Sequence, residues 1–209
     1  KSKQYEAGVK FDYSGLISTV SVFQIDRPNA LTNPVTNMYS FDGQQRNRGL
    51  ELSTVGEVVK GLNLVASATI YVAKLQKTAG GVNQGNAANG VPSHTLNLGA
   101  DWELPWVPGL SLNTRALYTA STPYNQENTQ TLPSWTRVDI GGRYVTQWGN
   151  TPVTLRASVE NVFNERYWLS SSTLLTVGTV AAPRTVLSTG TWVVADRDRV
   201  MQVMVNLLS

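Results

Sequence analysis

Hydrophobic and polar positions alternate along most of the chain with a period of two. Between Gly61 and Ala73 the even positions Leu62, Leu64, Ala66, Ala68, Ile70 and Val72 are all apolar, while Asn63, Ser67 and Thr69 are polar. That pattern predicts a strand with one apolar face. Tyr5, Ala7, Val9, Phe11 and Tyr13 repeat it, as do Leu96, Leu98, Ala100, Trp102 and Leu104. So do Val138, Ile140 and Tyr144, and then Val153, Leu155, Ala157 and Val159. Charges fall almost wholly on the other face of these segments. Residues 16–27 are strand-like too, but both sides mix apolar and polar residues, so the pattern assigns no face. Nine strands are expected, over 4–13, 16–27, 47–58, 61–74, 92–104, 108–121, 133–147, 152–163 and 183–194.

Most of these segments exceed ten residues, whereas ordinary globular strands average about 5–6 and a strand tilted through a bilayer needs about 9–11. The connections alternate strictly between tight (13–15, 59–60, 105–107, 148–151) and long (28–46, 75–91, 122–132, 164–182). Outer-membrane barrels alternate short periplasmic turns with long extracellular loops in this way. Tyr13, Trp102, Trp106, Tyr118, Trp135, Tyr144 and Trp148 fall near strand ends, where interfacial aromatic girdles are expected. A soluble barrel or sandwich is the competing architecture, with its apolar face turned inward. The Ala-rich stripe of 61–74 is too slight for such a core and favours contact with lipid.

Composition narrows the chemistry. The 209 residues include no cysteine, one histidine, 17 Lys and Arg and 14 Asp and Glu, for a net charge of +3. Disulfide scaffolds and cysteine-built metal sites are excluded. The basic residues are scattered, without the Lys/Arg run of a nucleic-acid surface. No apolar run reaches the length of a membrane helix. The chain opens on Lys1-Ser2-Lys3 without an initiator Met or an apolar signal segment, which predicts a piece of a longer polypeptide.

An ordered set of short motifs then stands out. It comprises Lys1-Ser2-Lys3-Gln4-Tyr5-Glu6-Ala7-Gly8-Val9-Lys10, Phe23-Gln24-Ile25-Asp26-Arg27-Pro28-Asn29 and Gly43-Gln44-Gln45-Arg46-Asn47-Arg48-Gly49-Leu50-Glu51-Leu52. Gly90-Val91-Pro92-Ser93-His94 and Leu132-Pro133-Ser134-Trp135-Thr136-Arg137-Val138-Asp139 follow. The most specific is Val159-Glu160-Asn161-Val162-Phe163-Asn164-Glu165-Arg166-Tyr167-Trp168, with Ala182-Pro183-Arg184-Thr185 after it. In order and spacing this set resembles the C-terminal barrel portion of TonB-dependent outer-membrane receptors, especially ferric-siderophore receptors, over residues 1 to about 190.

The resemblance implies an all-β fold, an antiparallel transmembrane β-barrel of which residues 1–194 supply the last nine of 22 strands. The plug domain and energy-coupling box lie outside the chain, and the two open edges of a part-barrel would not be tolerated in lipid. It further implies a ferric siderophore as ligand, a TonB-type energy-coupling protein and outer-membrane lipid as partners, and no nucleic acid. The siderophore carries the iron, so neither cofactor nor protein metal ligand is expected. Ligand contacts would come from the long loops, through Tyr39, Phe41, Tyr124 and Trp168. Glu6, Lys10, Glu51, Asp101, Glu103, Arg115, Arg137, Asp139, Arg143, Arg156 and Glu160 would face the lumen and plug.

Catalysis finds no constellation. His94 stands at a strand start without a nucleophile elbow, and Asp101 and Glu103 on one strand face are expected to pair with Arg115, Arg137, Arg143 or Arg156. Residues 195–209 depart from the family. Val200, Val203, Met204, Leu207 and Leu208 lie at helical spacing, which predicts a short amphipathic helix. That tail resembles the N-box helix of sensor histidine kinases, with Asn206 at the position of the first box Asn. Two other functions fit parts of the pattern: a stand-alone small outer-membrane barrel of porin or adhesin type, and a soluble ligand-binding β-barrel.

Overall fold

The structure is a computed structural model that describes residues 1–32, 36–171, 178–196 and 199–206. Its centre is one antiparallel sheet of ten strands, joined almost throughout as a meander of neighbours. The first four are β1 (Lys3–Tyr13), β2 (Leu16–Thr32), β3 (Tyr39–Val59) and β4 (Leu62–Lys77). Then come β5 (His94–Glu103) and β6 (Leu110–Thr119), and, after a two-residue pair β7 (Thr122–Pro123) and β8 (Thr131–Leu132), β9 (Trp135–Trp148) and β10 (Thr151–Glu160). A small hairpin, β11 (Trp168–Ser171) with β12 (Gly178–Val180), precedes β13 (Thr185–Asp196) and β14 (Arg199–Asn206). All nine expected strands are present. β2 and β3 run well beyond the membrane-length core, so much of the expected 28–46 loop is a paired extension carrying one bulge between Asn29 and Leu31.

The tight connections explain themselves chemically. Ser14 and Gly15 take φ of 50° and 87°, the two positive values that a two-residue hairpin turn needs to match strand twist. At Gly49 the demand is space: an added Cβ would lie 2.5 Å from both the Phe23 ring and the Ile70 carbonyl oxygen. Phe23 uses that room, covering the glycine and meeting Tyr71 edge-on at 6.0 Å.

Cross-strand register settles which residues share a face. Val9 stands opposite Val20, Val20 opposite Leu52, Leu52 opposite Ala68, and Ala68 opposite Leu96. The row of Leu98, Ala116 and Val138 continues it on β5, β6 and β9, and Ile140, Val159 and Val186 carry it to β13. The sides of β2, unassignable from its own pattern, follow from its neighbours: Val20 and Val22 join the apolar face, while Ile17, Phe23 and Ile25 take the other.

This apolar face has no cover within the chain. Val9, Phe11, Val22, Ile70 and Leu98 are each more than half exposed. The buried apolar side chains among the described residues amount to Ala73, Leu75, Ala88, Leu104, Ala120, Val153 and Tyr167, too few to be the core of a sandwich. From Leu62 to Val72 the apolar run spans ten residue steps, roughly 33 Å of strand, and a tilt of about 40–45° reduces its height to about 25 Å. That matches the apolar band of an outer-membrane barrel.

The helix expected over 195–209 is corrected. Arg199–Asn206 is a strand, paired from Asp196↔Arg199 to Thr189↔Asn206 along the outer edge of β13. Val200, Val203 and Val205 favour a strand. The edge of β13 also offers a ladder of backbone partners, whereas a lone helix of this length has little stability in water. Residues 197–198 and 207–209 of that expectation lie outside the described residues.

Candidate ligand-facing surface

The face opposite the apolar one is polar. Register brings Glu6, Lys10, Glu51, Asp101, Glu103, Arg115, Arg137, Asp139, Arg143, Arg156 and Glu160 all onto it, through pairs such as Asp101↔Asn113, Arg115↔Asp139 and Arg143↔Arg156. Within this wall Arg137 is the hub. Its Nε donates to Asp139 Oδ1 at 2.7 Å and its Nη2 to Glu160 Oε2 at 2.8 Å. Arg115 donates to Asn97 Oδ1 at 3.1 Å, and Arg143 donates to Ser111 Oγ at 3.1 Å while standing 3.8 Å from Glu103. Of the acid pair, Glu103 thus finds one of its expected arginines. Asp101 makes no ion pair among the described residues, and instead lines a depression of about 600 Å³ with Asn63, Asn97, Asn113, Arg115 and Asp139. The dense, mixed-sign wall holds no metal-binding group of His, Cys, Asp and Glu among the described residues.

Asp139 connects this wall to the loops. Its Oδ1 also accepts the backbone N–H of Asn161 at 2.8 Å. Asn161 is 2% exposed and takes a positive φ of 55°, a conformation that Asn tolerates better than most residues. Its Nδ2 donates to the carbonyls of Glu165 at 2.9 Å and Ala182 at 3.3 Å, and its Oδ1 accepts the Glu165 N–H at 2.8 Å. Asn164, also at positive φ, accepts the Arg184 N–H at 3.0 Å. Tyr167 stacks on Trp135 with centroids 4.1 Å apart. The motif 159–168 is therefore a loop anchor: it closes the β10 end and ties both arms of the following loop to the wall. The hydrogen-bonding role of Asn161 was not assigned from the pattern, although two Asn three residues apart after a strand are a turn signal.

A second anchor joins two other loops. Asn86 Nδ2 donates to the Gln126 carbonyl at 3.0 Å, and Asn128 exchanges two bonds with the backbone of Ala87, accepting at 2.9 Å and donating at 3.0 Å. The 78–93 segment is thereby held against 120–132, over the small cluster of Ala73, Leu75 and Ala88.

The four loop aromatics all lie at the long-connection end but on three different segments. Tyr39 and Phe41, both exposed, touch edge-on at 5.2 Å at the start of β3. Tyr124 follows β7, and its N–H bonds to the Gln130 carbonyl. Trp168 opens β11, with its ring over Gly178. His94 lies on the apolar face, where its ring meets Tyr118 at 5.6 Å and Ser93 Oγ at 3.0 Å.

Charge is not confined to the polar wall. At the loop end Asp26, Arg46, Arg48 and Lys74 occupy the apolar face, a departure from the one-sided pattern read in the sequence. The pattern of 16–27 assigns no face to Asp26 and Arg46 falls in the expected 28–46 connection, so register with the neighbouring strands places them.

Comparison with known proteins agrees with this geometry. The family model described as TonB dependent receptor-like, beta-barrel matches residues 1–162. The ferrichrome receptor FcuA of Yersinia enterocolitica is 46% identical over 169 residues, covering 81% of the chain and 22% of that receptor. A ferrichrome outer membrane transporter/phage receptor of Escherichia coli is 30% identical, over 80% of the chain and 23% of its own length. Among solved structures the ferric preacinetobactin receptor BauA of Acinetobacter baumannii superimposes with a TM-score of 0.82 at 34% identity, covering 91% of this chain and 29% of that one. The chain thus spans between a fifth and a third of the length of these relatives.

Proposed function

Because the chain belongs to the TonB-dependent receptor β-barrel family, we propose that it is the C-terminal barrel portion of an outer-membrane receptor that imports ferric siderophores. The observation that carries this reading is the match to the ferrichrome receptor at 46% identity across most of the chain, on a sheet whose one face is an uncovered apolar band. The family is one of outer-membrane transport receptors rather than enzymes. In this reading the polar wall lines the lumen, where Arg137, Asp139, Glu160 and their neighbours solvate the channel and meet a plug supplied by another part of the receptor. Glu6, Lys10, Glu51, Arg143 and Arg156 share that role. The energy for opening comes from a TonB-type protein acting on that other part.

The ligand is a ferric siderophore, with iron wrapped by the siderophore's own donors and the protein recognising its outer surface. Tyr39, Phe41, Tyr124 and Trp168 offer aromatic faces at the loop end, and the anchored Asn-rich segments offer backbone and amide groups that fix orientation. The anchors support this use, because an aromatic held on a tied loop loses less entropy on binding.

The test is growth of an iron-limited host strain lacking its own receptors, complemented with the full-length receptor and supplied with ferrichrome or another ferric siderophore. Growth and tight binding of one siderophore by the purified receptor are expected. Replacing Tyr39 and Phe41 together by Ala is expected to weaken that binding at least tenfold. A receptor that binds no ferric siderophore, or supports growth without one, contradicts the reading.

A further inference from the structure

The lipid-side charges at the loop end form one cluster. A single cross-strand row runs Lys3↔Asp26↔Arg46↔Lys74 across β1 to β4, and the row beneath it runs Tyr5↔Gln24↔Arg48↔Val72. Both rows share the face of Val22, Leu50 and Ile70. Asp26 is engaged by Arg46, which donates from Nε at 2.6 Å and from Nη2 at 3.1 Å, and by Gln24 Nε2 at 3.1 Å. Gln24 also accepts from Arg48 Nε at 2.7 Å, which fixes that guanidinium in place. Lys3 and Lys74 are exposed and make no ion pair among the described residues. Four cations therefore face one carboxylate, across three strand spacings or about 14 Å.

Their height is what gives this cluster meaning. On β4, Lys74 is the first outward position beyond the apolar run that ends at Val72, so it stands just above a band of about 25 Å. Deeper in the band a Lys or Arg would cost about 2–4 kcal/mol, a penalty that falls to about 0–1 at the interface. The outward positions at the same end of the next three large strands are His94, Tyr118 and Thr136, so the cluster does not extend onto β5, β6 or β9. A water-facing surface would need no such clustering, and the lumen is on the opposite side of the sheet.

We infer that Lys3, Arg46, Arg48 and Lys74 form a binding site for the phosphate of a lipid headgroup in the outer leaflet beside the barrel. Arg48, oriented by Gln24, presents its remaining N–H groups to phosphate oxygens as a fork, and Lys74 and Lys3 close on either side as point charges. Asp26 orients Arg46 and leaves the site net positive. The inference rests on the apolar face being in lipid, and the test separates the two.

The full-length receptor is reconstituted into phosphatidylcholine vesicles with and without phosphatidic acid, and the phosphatidic acid retained per receptor is measured after dilution with phosphatidylcholine. Each cation at an anionic lipid surface contributes roughly fivefold. Arg48→Gln with Lys74→Gln is therefore expected to weaken retention about 25-fold, with Lys74→Arg within twofold of wild type and Lys60→Gln, in the tight turn at the opposite end, unchanged. Heat-shifted gel migration checks that each variant is folded. Equal retention by the double variant, an equal loss from Lys60→Gln, or displacement of the lipid by equimolar inorganic phosphate overturns the site. In each of those cases the receptor still floats with the vesicles. A receptor that does not float overturns the lipid-facing reading together with the site.

Discussion

Replacing Asn161 by Ala removes the centre of the loop anchor at one stroke. The side chain is 2% exposed and makes three bonds, two donated to the Glu165 and Ala182 carbonyls and one accepted from the Glu165 N–H. At about 1 kcal/mol net for each bond, their loss costs about 3 kcal/mol. Ala at a φ of 55° adds roughly 1 kcal/mol for the left-handed backbone. The sum of about 4 kcal/mol corresponds to roughly a thousandfold rise in local opening. Hydrogen exchange of the full-length receptor reports it directly, at the amides of Glu165 and Ala181, the latter bonded to the Tyr167 carbonyl. Asn161→Gly separates the contributions, because it keeps the backbone conformation and loses only the bonds, so its exchange should be about fivefold slower than that of Asn161→Ala. Protection at both amides within tenfold of wild type would refute the assignment of the motif as an anchor.

Other substitutions probe the remaining parts. Gly49→Val drives a side chain into the Phe23 ring and the Ile70 carbonyl, and the full-length receptor is expected to fail to reach its heat-modifiable folded form on gels. Asn128→Ala breaks both bonds to Ala87 and should loosen the 78–93 segment, which Asn86 still ties to Gln126, read as faster proteolytic cleavage there with no change in barrel folding. Arg137→Met strands Asp139 and Glu160 on the polar wall. A loss of about 1–3 kcal/mol against denaturant is expected, and Asp139→Asn combined with Glu160→Gln in that background should recover part of it.

The alternation of apolar positions made the strands and their facing legible wherever one face is uniformly apolar, as in β4 or β10. It failed in β2, because Ile17, Phe23 and Ile25 sit on the polar wall, where Phe23 fills the space over Gly49. No property of β2 alone distinguishes its two sides, and pairing with β1 and β3 does. From 195 both the spacing and the N-box resemblance predict a helix. Helical spacing and a dense apolar strand coincide there, and the free edge of β13 decides between them. The eleven wall residues were legible because, away from the loop end of β1–β4, charge avoids the apolar stripe. Asn161 was not singled out, since its role depends on Glu165, Ala182 and Asp139 converging from separate segments. The outward cations on β3 and β4 escaped for a related reason, as only the register of four strands places them in one cluster.

The central claim is that the two faces of this sheet meet different solvents. The chain has no cysteine, so single cysteines placed in turn from residue 62 to residue 72 of the full-length receptor can each carry a spin label. In reconstituted membranes, accessibility to oxygen and to a water-soluble nickel chelate should alternate with period two. Labels at the even positions, beginning with Leu62 and ending with Val72, should favour oxygen, and those at Asn63, Ser67 and Thr69 should favour the chelate. Absence of alternation, or alternation with the phase reversed, would contradict the account.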